Sequence, residues 1–265
     1  MRARTLCAVW GLLVAVNYAQ AARAADAAGS SADTGPKYGT TITGQAGILA
    51  ARGNTDTTAV NAKAEYIHNT RANTDDFEFE WLYSKSGDIL DAERWATTLQ
   101  HNWNIAAGFY LYVDVHYEDD LFSGFAYQAS ASPGVGYTIL DNSKTKLSVQ
   151  IGPAYQRLQP EILTKNPAGE VVQRTKLPEE DGIAADAKLK FEYNFNQSTR
   201  LTETLSTIAS SLNTELDNSL ALQVKMSNRL SLSLGYTVRY NSNPPVGTVT
   251  TDTQTTLNLV YTQKP

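Results

Sequence analysis

The chain has 265 residues and a formal net charge of −5, from 22 basic and 27 acidic side chains. A mildly acidic balance gives no electrostatic case for nucleic acid as a partner. Mean hydropathy is negative, and no apolar run reaches the ~20 residues that a spanning helix needs. A helical membrane protein is thereby excluded, but a transmembrane barrel is not, since every second residue of its strands is polar.

The N-terminus reads as a secretory signal over residues 1–21. Arg2 and Arg4 supply the positive start, Leu6 to Val16 the apolar core, and Ala19-Gln20-Ala21 the small-x-small cleavage site. Cys7 is the only cysteine and lies inside this segment, so the mature chain is expected to have neither disulfides nor thiolate metal sites. Residues 22–37 are rich in Ala, Gly, Ser and Asp without periodicity and read as a disordered lead-in; residues 38–265 form the one folded domain.

From Gly39 the chain resolves into alternating segments separated by turn chemistry. The first strand ends at Gly53-Asn54-Thr55-Asp56. In the second, Val60, Ala62, Ala64 and Tyr66 oppose Asn61, Lys63 and Glu65. In the third, Phe77, Phe79, Trp81 and Tyr83 oppose Glu78 and Glu80, and in the fourth Trp95, Leu99 and Trp103 oppose Arg94, Gln100 and Asn102. The fifth and sixth form a hairpin over Phe109 to Ile139. One face of its first half carries Phe109, Leu111, Val113, Val115 and Tyr117, and the other Asp114, His116 and Glu118. In its second half Phe125 and Tyr127 begin the apolar face, and Gly134 and Gly136 lie on the polar one. The seventh strand centres on Val149 and Ile151. A loop of about 20 residues with three prolines is expected from Gln159 to Asp181. The eighth strand sets Ala187, Leu189, Phe191 and Tyr193 against Asp186, Lys188, Lys190 and Glu192. The ninth is the least regular, because its apolar residues switch face near Thr207. The tenth carries Asp217 and Lys225 on its polar face and the eleventh Arg239. A second long loop contains Pro244-Pro245, and the twelfth strand ends near Tyr261.

An even number of alternating strands predicts an all-β fold: a closed antiparallel transmembrane β-barrel of 12 strands with up-and-down topology. If both ends of the barrel chain are periplasmic, the short turns fall on that side and both long loops outside. Aromatics then sort into two girdles, with Trp103, Phe109, Tyr137, Tyr193, Phe195 and Tyr261 at one interface. Tyr83, Trp95, Tyr117, Phe125, Tyr155 and Tyr240 mark the other. The expected location is the outer membrane, with lipid and lipopolysaccharide around the wall and the barrel-assembly machinery as folding partner. The expected oligomeric state is monomeric.

Gly53-Asn54-Thr55-Asp56-Thr57, Asp120-Leu121-Phe122-Ser123-Gly124, Gly134-Val135-Gly136-Tyr137 and Gly152-Pro153-Ala154-Tyr155 recur in order across Tyr38 to Tyr261. Together they resemble the YdiY-like, salt-induced outer-membrane protein family of Gram-negative bacteria, a domain of unknown function. The resemblance implies an outer-membrane barrel and carries over no catalytic or binding residue.

Little in the chain points to chemistry, and no enzyme activity, metal or cofactor is expected. His116 beside Asp114 and Glu118 reads as part of a hydrogen-bonded lumen network, since metal sites normally gather three or four ligands. An outer-membrane phospholipase needs serine and histidine in contact, and no histidine here has the His-x-Ser-Asn-Gly setting of those enzymes. What remains is the inward face: Lys63, Glu65, Glu78, Glu80, Arg94, Asp114, His116, Glu118, Asp186, Lys188, Lys190, Glu192, Asp217, Lys225 and Arg239. Rings of one sign would mark an ion-selective pore. Both signs occur here, so the set is expected either to pair into a plug or to line a narrow, weakly cation-preferring channel.

Overall fold

The computed structural model describes residues 38–51, 57–87, 89–121, 123–167, 170–245 and 248–264. The expected signal and lead-in lie outside the described residues, as do Gly53–Asp56 and Phe122 of the family-like motifs. The strands are β1 (Gly39–Ala51), β2 (Thr57–Asn69), β3 (Asn73–Ser86), β4 (Ile89–Ala106), β5 (Phe109–Asp120), β6 (Phe125–Asp141) and β7 (Thr145–Lys165). They continue as β8 (Val171–Lys176), β9 (Glu180–Asn194), β10 (Thr199–Ser210), β11 (Thr214–Lys225), β12 (Leu230–Asn241) and β13 (Thr251–Gln263).

Each wall strand pairs antiparallel with the next wall strand in the chain, β7 with β9 across the intervening β8, and β1 closes on β13 with Gly44 opposite Tyr261. Twelve of the strands make the closed wall. The thirteenth, β8, pairs only with the part of β7 beyond the wall, with Glu161 opposite Lys176. The long loop expected over Gln159–Asp181 is therefore a hairpin that extends β7 and β9 above one rim.

The wall is inside out relative to a soluble protein. Ile42, Trp81, Leu99, Ile151, Leu232 and Leu257 are exposed on its outer surface, whereas Gln100, Asp114, Glu118, Ser132, Gln156 and Asn258 are buried inside. Period-two alternation does this directly, because each strand turns one residue to the lipid and the next to the lumen. The switch expected in the ninth strand resolves the same way. Leu201 and Leu205 pair with Leu222 and Asn218 on the lipid face, while Ile208 pairs with Asp186 and Glu215 on the lumen face.

At one end all turns are short, and several are side-chain capped. Asn142 Oδ1 accepts from the amides of Lys144 and Thr145 at 3.0 and 2.8 Å, and Asn196 Oδ1 from those of Ser198 and Thr199 at 2.8 and 2.9 Å. Both long connections lie at the opposite, loop end. One aromatic departs from the expected girdles. Two residues of β6 oppose one of β7 between Phe125 and Tyr127, and a matching irregularity lies on the β5 side. Such a bulge reverses the alternation. Phe125 thus pairs with Asp120 on the inner face and is 3% exposed, not lipid-facing.

Candidate functional site: the charged lumen

The lumen is crossed by side chains rather than merely lined by them. β5 and β12 lie six strands apart whichever way round the ring is followed, so they are diametrically opposite. Arg239 Nη2 on β12 nevertheless reaches both Glu118 carboxylate oxygens on β5 at 2.7 Å. The same carboxylate accepts from Arg94 Nε at 3.0 Å, and the Glu118 side chain is 2% exposed. Arg239 also meets Asp217 at 3.0 Å and Asp120 at 3.6 Å, and Arg94 meets Glu80 at 2.8 Å. A buried carboxylate with two guanidiniums is the arrangement that offsets the cost of taking charge out of water.

The loops above repeat this tie. Gly124, at φ +79° between β5 and β6, approaches the β12–β13 connection so closely that an added Cβ would lie 2.7 Å from Pro245 and 3.2 Å from Thr248. The two hairpins that Arg239 and Glu118 join inside are thus in contact over the rim as well. The β7–β8 extension packs here too, with the Glu161 amide donating to Gly124 O at 2.8 Å. Glu161 accepts from Arg174 at 2.7, 2.9 and 3.0 Å, and these bonds hold the Arg174 guanidinium above its ordinary pKa.

Lower down, Lys188 on β9 donates to Asp114 on β5 at 3.1 Å, and Tyr112 Oη on β5 donates to Asp186 on β9 at 2.8 Å. Glycines make the second reach possible. Tyr112 pairs with Gly134, and Gly152 pairs with Asp186. A Cβ on Gly134 would sit 2.6 Å from the Tyr112 ring, and one on Gly152 would sit 2.2 Å from Pro133 O. The ring therefore lies flat over glycine on β6. Tyr110 does the same over Gly136, where a Cβ would be 2.2 Å away, and accepts from Gln150 at 3.1 Å. These glycines belong to the family-like motifs, and their use is to let tyrosines lie along the wall.

The remaining inward charges divide by partner. Lys63 bridges Glu78 at 2.7 Å and Glu80 at 3.1 Å. Lys190 spans from β9 to Asp76 on β3 at 3.6 Å, and Glu192 meets Arg200 at 3.4 Å. His116 Nδ1 lies 2.9 Å from Thr98 Oγ1, with Nε2 4.0 Å from Glu118. Glu65 faces Glu78 across the strand pair and makes no ion pair among the described residues. Lys225 is exposed at the short-turn end and likewise has no ion pair there. The expected inward set lacked Tyr110, Tyr112, Asp76, Asp120 and Arg200, and Gln100 was read as polar-facing without being given a part in it. The one local signal for the tyrosines was the run of glycines on the neighbouring polar face.

Among solved structures the chain is similar to the translocator domain of the autotransporter NalP from Neisseria meningitidis, at 14% identity and a TM-score of 0.47 over 85% of this chain and 89% of that one. It is also similar to an outer membrane channel from Pseudomonas putida F1, at 14% identity and a TM-score of 0.46 over 89% and 99%. A third likeness is to the NanC porin, at 7% identity and a TM-score of 0.45 over 85% and 99%. Likeness at this level says nothing about what the chain does. No curated protein matches it. The family model described as "Protein of unknown function, DUF481" matches residues 44–262, in keeping with the YdiY-like resemblance, and the chain belongs to that family.

Proposed function

We propose that this protein is a monomeric, non-enzymatic barrel of the Gram-negative outer membrane whose lumen is latched shut by ion pairs, and that it serves the envelope structurally under salt or osmotic stress. The observation that carries the reading is the contact of Arg239 with Glu118 across the full width of the ring. The aromatic and aliphatic outer wall supports the membrane location, with lipid and lipopolysaccharide as its surroundings and the assembly machinery as its folding partner. The short turns then face the periplasm and the β7–β8 hairpin faces outward. In this reading the inward charges are a plug. A silent liposome-swelling assay with small sugars and amino acids, on barrel shown to be folded, is the expected result; rapid swelling would contradict it.

A second reading, a narrow cation-preferring channel, is favoured by one feature. Carboxylates outnumber cationic side chains around Glu65, Asp76 and Glu78. Liposomes carrying the barrel would then pass monovalent cations while still excluding sugars.

A further inference from the structure

The short-turn half of the lumen contains a patch whose acceptors exceed its donors. Glu65 on β2 is directly opposite Glu78 on β3, and Asp76, two residues before Glu78, is directly opposite Gln100 on β4. Direct partners on one face of an antiparallel pair have Cβ atoms about 5 Å apart, so the four side chains form a zigzag across β2, β3 and β4, with Asp76 and Glu78 at its centre and Glu65 and Gln100 at its ends. Two lysines reach it. Lys63 divides itself between Glu78 and Glu80, and Lys190 lies 3.6 Å from Asp76 Oδ2 only.

Two buried oxygens there are left over. Gln100 is 5% exposed; its amide nitrogen donates to Asn102 Oδ1 at 2.8 Å, while its Oε1 has no partner among the described residues. Asp76 Oδ1, on the residue directly opposite, is buried and also without a partner. Buried acceptors are normally satisfied. Two orphan acceptors on directly opposite residues, beside Glu78, are placed to take a donor or a cation, and the surplus of carboxylates there favours a cation. Among the described residues no three carboxylates or histidines converge closely enough to hold a metal ion by themselves. A divalent ion demanding many protein ligands is therefore a poor match, and a monovalent cation keeping part of its water is a good one.

We infer that Glu65, Asp76, Glu78 and Gln100 form a binding site for a monovalent alkali cation, entered from the short-turn end of the lumen. Access fits, since Asp76 is three residues from the start of β3 and the Lys190 side chain beside it is 45% exposed. The site goes beyond the latched-lumen reading and does not depend on it. The latch can fail in a flux assay with the cation site intact, and the reverse.

The test is thermal unfolding of the refolded mature barrel in sodium, potassium or N-methyl-D-glucamine chloride at one ionic strength, so that general screening is equal. The bulky organic cation cannot enter the patch. The expected result is a saturable rise of about 3–8 °C in the small cations over the organic one, as for a ligand that binds only the folded state. Glu65→Gln and, separately, Gln100→Leu abolish that difference. Glu65→Gln leaves the midpoint in the organic cation unchanged or raised, because Glu65 has no ion pair to lose and faces Glu78. Equal midpoints for wild type in all three salts would overturn the proposal and would mean that the Gln100 amide is turned to donate to Asp76. A small-cation effect that survives both substitutions would overturn it equally.

Discussion

The loop-end and short-turn halves of the lumen use similar residues to different ends. In the loop-end half Glu118 has two arginines, and Arg239 is shared among Glu118, Asp120 and Asp217. In the short-turn half the cations that reach the Glu65, Asp76 and Glu78 patch are lysines, and among the described residues Glu65 has no ion pair and Asp76 and Gln100 each keep an unpartnered oxygen. The difference follows from the chemistry of the two cations. A guanidinium presents five donors in a fixed fork and can join several carboxylates at once. An ammonium is a point charge that satisfies fewer. Fork-shaped donors lock the loop-end half; a shortage of donors leaves the other half able to accept a cation.

The comparison can be broken most severely at Glu118. Glu118→Ala leaves Arg94 and Arg239 facing one another in a buried site, and we expect a loss of about 3–5 kcal/mol in urea unfolding from micelles. Gly134→Leu tests the wall between the halves. The new side chain lifts Tyr112 off β6 and away from Asp186, and we expect a loss of about 2–3 kcal/mol by the same measurement. Lys190→Met acts in the looser half, on a contact of 3.6 Å made by a half-exposed lysine, and should cost at most about 1 kcal/mol. Arg174→Leu, outside both halves, should leave the barrel's midpoint unchanged. It removes the bidentate partner of buried Glu161 and should make the β7–β8 tip open to limited proteolysis.

Strand number and turn placement were legible because alternation is local: each residue's face follows from its neighbours two positions away. Partners were not legible, since they depend on ring closure. Nothing near Glu118 in sequence points to Arg239, which is 121 positions away. Phe125 was misplaced because a bulge reverses the alternation, and one extra residue leaves no compositional mark. The β7–β8 hairpin was hidden by its prolines. Pro160 lies within β7 at the point where pairing with β6 ends and pairing with β8 begins, and Pro178 lies in the break between β8 and β9, so neither stops the hairpin from forming. Glycines 134 and 136 carry no side chain on the polar face of β6 because Tyr112 and Tyr110 lie over them, a cross-strand contact that β6 alone does not show.

The most direct measurement is single-channel recording in a planar bilayer of the wild-type barrel beside the double variant Glu118→Gln/Arg239→Gln, with insertion confirmed separately for each. The account predicts a silent wild type and discrete conductance steps in the variant, because the cross-lumen ion pair has been replaced by uncharged amides. Stable steps of equal size in both proteins would contradict it, showing that the Glu118–Arg239 contact does not close the lumen.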